Sequence, residues 1–173
     1  MAKTVKGSLI DDKVIVEDLD FASQYKPKGY GEIKDKALWL SLYESCYLMQ
    51  KDKFSVFDDK KELTFSALMK EGSRIEERFA SKYAAYRDLR ERGYVVRTGL
   101  KYGVDFRVYP RGESIDEAHT KWILHILSEN EKFDVFHFTR SVRLSHSVKT
   151  SLMLAVVDAE SDVVYYKIDW MRP

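Results

Sequence analysis

The chain has 173 residues, 45% hydrophobic, 33% charged and 13% aromatic, a profile that excludes a disordered tail and fits about one to one and a half folded domains. Its 29 Lys and Arg against 28 Asp and Glu leave a formal net charge of +1, so nucleic-acid binding by bulk charge is excluded and only a local basic face remains open. Cys46 is the sole cysteine, which rules out an intrachain disulfide and a multi-cysteine zinc site; apolar runs far below the roughly 18–20 residues of a membrane span, and a Met1–Gly7 start without a signal-peptide core, lead us to expect a cytoplasmic protein with no membrane contact.

Val14-Ile15-Val16 after the Asp11-Asp12 turn reads as a strand, and Tyr25 to Gly31, with Pro27, Gly29 and Gly31, as a loop. Leu38, Leu42, Cys46 and Met49 recur at helical spacing, predicting a helix over Asp35–Gln50 with Trp39, Tyr43 and Tyr47 on a packing stripe. Phe54 to Phe57 is a short strand, and a short helix over Thr64–Glu71 is expected to stop at Gly72. Ser73 and Glu76 have the form of a capping box, opening a helix striped by Ile75, Phe79, Tyr83 and Tyr86 that ends at Gly93.

Beyond Gly93 strands dominate. Tyr94–Thr98 and Val104–Tyr109 flank a turn over Gly99–Gly103, and Trp122–Leu127 is apolar enough to be central. Asp134–His146 is helical, and Leu152–Val157 with Val163–Ile168 forms a terminal hairpin. No repeat or low-complexity segment occurs. The fold class is therefore α/β (α+β): a small mixed N-terminal domain, residues 1–84, followed by a strand-rich C-terminal domain, residues 85–173.

Chemistry concentrates in the second half. A phosphate-binding glycine loop is missing there, because Gly99 and Gly103 lack the third glycine and the following helix. His119, His125, His137 and His146 lack the spacing of a helical metal pair, so no metal and no cofactor is expected. Cys46 reads as a buried small hydrophobe. Arg87, Arg90, Arg92, Arg97, Lys101, Arg107 and Arg111 interleave with Tyr86, Tyr94, Tyr102 and Tyr109. Cations that meet phosphates beside rings that stack on bases suit RNA. A solvated face offset by Asp88, Glu91 and Asp105 is equally compatible with the composition.

The run from Tyr86 to Tyr109, continued by Arg111-Gly112, His119, Arg143-Leu144-Ser145-His146-Ser147-Val148, Ala155 to Asp158 and Tyr165-Tyr166, resembles the catalytic domain of archaeal tRNA-splicing endonucleases. Leu38 to Leu48 resembles, more loosely, the smaller N-terminal domain of that family. The resemblance implies a nuclease-like catalytic domain and a metal-independent endoribonuclease that removes introns from precursor tRNA at a bulge-helix-bulge. It further implies 2′,3′-cyclic phosphate and 5′-hydroxyl ends. The family triad is a tyrosine in Phe-Arg-x-Tyr, a histidine shortly after it, and a lysine just past His-Ser-Val, which puts Tyr109 as base, His119 as acid and Lys149 as cation. Attack by a 2′-hydroxyl on the adjacent phosphorus needs those three roles, and a tyrosine base demands cations nearby, because a phenol is ordinarily protonated at neutral pH.

The family usually reads His-Ser-Val-Arg-Lys, whereas this chain reads His146-Ser147-Val148-Lys149-Thr150. Without a gap, Thr150 takes the lysine's place. We favour Lys149, since a junction between helix and strand can absorb one residue of shift; the alternative is a non-catalytic structural subunit of a heteromeric enzyme. Arg143 matches a family arginine that holds a bulge nucleotide by stacking together with a cationic or aromatic group from another subunit, for which Trp170 is the candidate. The resemblance also implies a homo-oligomer, a dimer of dimers: the apolar terminal hairpin joins two subunits, and an acidic loop at Ser128–Asp134, with Glu129, Glu131 and Asp134, docks on the other dimer.

Overall fold

The computed structural model describes residues 5–99, 103–112, 119–132 and 134–171. The chain divides into two compact units, Met1–Ala80 and Ser81–Pro173. Met1–Thr4, the core of the turn expected after Gly99, Lys101 and Tyr102 of the basic set, and Phe133 of the acidic loop lie outside the described residues.

The first unit is built on a mixed sheet. Strands β1 (Lys6–Ile10) and β2 (Lys13–Val16) form a hairpin through Asp11, which takes a positive φ of 53°. Helix α1 (Leu19–Tyr25) is capped by Asp18, whose carboxylate accepts the Phe21 amide at 2.8 Å. Strands β3 (Glu32–Lys34) and β4 (Ala37–Ser41) pair antiparallel, and helix α2 (Leu42–Gln50) follows. Then come β5 (Ser55–Asp58), β6 (Lys61–Leu63) and α3 (Phe65–Ile75). The sheet order is β3-β4-β2-β1-β5-β6, antiparallel apart from the β1–β5 pair.

Two sequence expectations fail in this unit. The helix expected over Asp35–Gln50 begins only at Leu42, because Asp35 and Lys36 both adopt left-handed φ (50° and 63°) and turn β3 back into β4. A two-residue turn of that conformation suits the twist of a hairpin, but Asp-Lys lacks the glycine that announces it. Ser41 then stops the strand and starts the helix: its hydroxyl caps the Glu44 amide, while the Glu44 carboxylate accepts the Ser41 amide at 2.7 Å. Trp39 consequently sits on β4, not on a helical stripe with Tyr43 and Tyr47.

The second failure is at Gly72. Helix α3 runs through it to Ile75, and Ser73 is no cap, since its hydroxyl donates to the Met69 carbonyl at 3.0 Å. Gly72 serves close approach instead of termination. A Cβ there would stand 2.4 Å from the Phe79 ring, which stacks on Tyr43 at 4.6 Å. Gly72→Ala is therefore expected to destabilise the protein by about 1–3 kcal/mol through overpacking, despite the roughly 1 kcal/mol by which alanine favours a helix interior. An unchanged urea midpoint would show that Phe79 swings aside freely.

Helix α4 (Phe79–Glu91) leads into the second unit and ends at Gly93, whose φ of 87° reverses the chain. Strands β7 (Val95–Thr98), β8 (Phe106–Tyr109) and β9 (Trp122–Ser128) follow, then α5 (Val135–Ser147), β10 (Ser151–Val157) and β11 (Val163–Ile168). The sheet order is β11-β10-β9-β8-β7, so β9 is central as its apolar run suggests. All its pairs are antiparallel except β9 with β10, which α5 connects as a crossover. The molecule is thus α+β.

Helix α5 covers one sheet face, where Val142 joins Val104, Ile123 and Leu152 in a buried cluster flanked by Phe138, Leu144 and Ile168. Helix α4 covers the other, with Tyr86 against Phe106 at 5.8 Å and the Tyr165 hydroxyl donating to Asp88 at 2.8 Å. Burial first, and the Asp88 hydrogen bond second, push the Tyr165 phenol well above its ordinary range, so it stays a donor. A buried ion pair, Lys82 to Asp105 at 2.7 Å, ties α4 to the segment before β8, and the second Asp105 oxygen accepts the Ile126 amide. Strand β10 is apolar on both sides because both are buried, as Leu152, Ala155 and Val157 show. The exposed apolar surface of the hairpin lies on the edge strand β11 instead, at Val164 (55% exposed) and Tyr166 (51%).

Candidate active site

Parallel pairing sets the site. Trp122 at the start of β9 is in register with Ser151 at the start of β10, so the segments that lead into both strands lie side by side. His119 precedes the first strand and Lys149 the second. The junction between α5 and β10 is locally determined: the Lys149 amide donates to the His146 carbonyl at 3.2 Å and the Thr150 amide to the Ser145 carbonyl at 2.9 Å. This pair of bonds ends a helix around a left-handed residue, a position that glycine usually fills. Here it is Lys149, at φ 53°. A side chain in that conformation costs on the order of 1–2 kcal/mol, of which a cation at a helix C-terminus recovers about 0.3–1 kcal/mol.

Thr150 points elsewhere. Its hydroxyl lies 2.9 Å from the Thr120 carbonyl and 3.0 Å from that of Lys121, a shared donation that staples the two strand entries together. Position 150 thus offers no cation, and its hydroxyl is committed to the backbone. Lys149 and Thr150 do not alternate across a sheet as neighbours within a strand do, because the chain turns at the left-handed Lys149 before β10 begins.

A cleft of about 620 Å³ opens at this junction, lined by Arg107, His119, Thr120 and Ile123 from the sheet side and by Val148, Lys149 and Thr150 from the end of α5. Among the described residues the lining holds two fixed cations, a histidine and no carboxylate. His119 and Lys149 are exposed, and Arg107 is half-buried. Tyr109 is buried at 5% exposure and is not a lining residue. It lies two residues from Arg107 on the same face of β8, and the Arg107 guanidinium carbon is 5.8 Å from its ring centroid. Of the three residues matched to the triad, two therefore share the cleft, and the third adjoins it through Arg107.

Arg143 is exposed on α5, one turn before His146, so the two occupy one helix face. Trp170 is 55% exposed and meets the His146 ring edge-on at 5.0 Å. The basic and aromatic residues of the sequence do cluster in part: Arg111 lies over Tyr94 at 4.5 Å, Lys121 over Trp122 at 4.2 Å, and the two rings meet at 5.4 Å. Arg92, by contrast, pairs with Asp88 at 2.8 Å. Cys46 is fully buried, and burial pushes its thiol up to about 12, so it is no nucleophile at neutral pH. Among the described residues no cluster of three or more His, Cys, Asp or Glu stands ready for a metal ion, and no helix is long and apolar enough to cross a membrane.

Arg107, which the sequence reading grouped only with the basic and aromatic set, lines the cleft beside His119 and Lys149. Its signal was present, since alternation along Phe106-Arg107-Val108-Tyr109 puts Arg107 on the face of Tyr109.

Residues 79–165 match the tRNA intron endonuclease catalytic C-terminal domain, and residues 5–69 match the tRNA intron endonuclease N-terminal domain. The chain is 40% identical over 173 residues to a tRNA-splicing endonuclease of Pyrococcus abyssi, covering 99% of each. It is 40% identical over 171 residues to one of Methanococcus maripaludis, covering 98% of this chain and 96% of the other. Against one of Pyrococcus furiosus the identity is 41% over 145 residues, 84% of this chain and 83% of the relative.

Proposed function

Because this chain belongs to the tRNA intron endonuclease family in both of its domains, we propose that it excises introns from precursor tRNA by metal-independent cleavage at a bulge-helix-bulge. The observation that carries the reading is the meeting of His119 and Lys149 at the paired entries of β9 and β10, in one cleft. In this scheme the 2′-hydroxyl gives its proton to Tyr109 and its oxygen bonds to phosphorus. The bond to the 5′-oxygen breaks, and that oxygen takes a proton from His119. Lys149 faces the charge on the nonbridging oxygens. The products are a 2′,3′-cyclic phosphate and a 5′-hydroxyl. Arg143, planar and cationic at once, stacks on a bulge base, with Trp170 of a second copy of this chain as its partner group; Arg143→Lys keeps the charge and loses the plane, and an unaffected rate would discard this role.

A bulge-helix-bulge carries two scissile bonds in approximate two-fold relation, which an isologous dimer matches. The exposed Val164 and Tyr166 on β11 support that contact. For the dimer of dimers, Glu129, Glu131 and Asp134 supply the acidic loop. Each also accepts a backbone amide, from Ala159, Ser128 and Phe136 respectively. Gln and Asn keep an acceptor oxygen, so amide replacements remove charge and spare these contacts.

A second reading, a structural subunit that positions RNA for an active partner, is favoured by one observation: the hydroxyl of Thr150 stands where the family has its lysine. The purified chain alone, in chelator, with a bulge-helix-bulge RNA separates the two. Two cuts ending in cyclic phosphates are expected, from a species that light scattering reports as a tetramer and that splits to dimers when the three acids become amides. Cutting that stops in chelator and returns with magnesium refutes the mechanism, and an inert chain that cuts only beside a second subunit establishes the structural reading.

A further inference from the structure

We propose that Arg107 is a second catalytic cation, which binds the nonbridging oxygens of the scissile phosphate alongside Lys149; the inference rests on the endonuclease reading above. Arg107 leaves the middle of β8, and its Cα pairs with that of Ile123 in the central strand. Both side chains line the cleft together with His119 and Lys149. The guanidinium therefore enters from the sheet and the ammonium from the end of α5, so an anion between them is met from two separate elements. Among the described residues the lining carries two cations and no carboxylate, which suits a negatively charged ligand.

A second observation points the same way. The antiparallel partner of Arg107 on β7 is Arg97, directly opposite in register. Directly opposed residues of a strand pair project from the same face, so two guanidinium side chains share the side of the sheet on which Arg107 stands. The planar fork of a guanidinium matches the oxygens of a phosphodiester better than an ammonium does.

The chemistry needs more than one cation. As the 2′-oxygen bonds to phosphorus and the bond to the 5′-oxygen breaks, charge builds on two nonbridging oxygens. Protons leave the 2′-oxygen and reach the 5′-oxygen through other groups, so Arg107 transfers none and contributes only donors aimed at the developing charge. Lys149, on a single left-handed residue at a helix end, is a flexible point charge. Arg107 is anchored in a strand between two neighbours and brings the fixed geometry that Lys149 lacks.

The test uses the full chain and bulge-helix-bulge RNAs that carry sulfur in place of one or the other nonbridging oxygen at the scissile bond. In the wild type, sulfur at one of the two oxygens is expected to slow single-turnover cleavage. Arg107→Gln should lower the rate of the all-oxygen RNA by about 10²–10³-fold, keep RNA affinity within a few-fold, and lose that sulfur effect. Arg107→Lys should regain part of the rate. A rate unchanged in Arg107→Gln, or a reduced rate with the sulfur effect intact, overturns the proposal and leaves Arg107 a support for the sheet. Should Arg107→Gln fail to fold, Arg107→Lys decides by the same reading: the sulfur effect must shrink. A wild-type chain that cuts no RNA overturns the endonuclease reading itself, whereas an active wild type with indifferent Arg107 variants overturns this inference alone.

Discussion

His119→Ala is expected to slow cleavage by roughly 10²–10⁴-fold, the span of a positioned general acid, with no loss of thermal stability. The stability half follows from exposure: His119 lies at the cleft wall outside any strand, so its truncation leaves no cavity in the core. Tyr109→Phe is the sharper of two companion tests, because this ring is buried and the hydroxyl alone is removed. If Tyr109 takes the 2′-proton, the variant should lose about 10²-fold or more in rate while binding the RNA as before. Full activity in Tyr109→Phe would assign the base to another group and leave Tyr109 as packing beneath Arg107. Both variants are read by single-turnover cleavage beside a melting curve, which separates lost chemistry from lost fold.

The second large effect is expected at Lys149, and stability and activity should move in opposite directions there. Lys149 occupies a left-handed position at the end of α5, where glycine has no steric penalty. Lys149→Gly should therefore stabilise the chain by up to about 1 kcal/mol, less whatever its cation contributes at the helix C-terminus. The same change should lower the cleavage rate by about 10²-fold or more, as expected when a donor to developing charge is removed. Strain held by a residue that glycine would relieve is the pattern of a side chain kept for function. Thr150→Lys makes the counter-test. It removes the hydroxyl that staples the entries of β9 and β10, so it should cost stability and add little rate. A large gain in rate from Thr150→Lys, with none lost in Lys149→Gly, would reverse the assignment and make the wild type the weakened partner of an active subunit.

Much of this protein is decided by local pattern. The central position of β9, the crossover helix α5, the terminal hairpin and the end of α4 at Gly93 all follow from apolar period and turn chemistry, which act over a few residues. Resemblance to the family supplied Tyr109, His119 and Lys149, which spacing alone would not have selected. Tertiary structure decided the rest. Asp35 and Lys36 turn without a glycine, and so a strand stands where apolar spacing predicts a helix. Gly72 reads as a stop and is instead a gap for the Phe79 ring, a partner that local pattern cannot see. The register of β9 on β10 brings His119 to Lys149 across a crossover helix, and the pairing of β8 with β9 delivers Arg107 to the same cleft. Period and capping are properties of neighbours in the chain, whereas a site assembled from two strand entries and a helix end exists only once distant segments have paired.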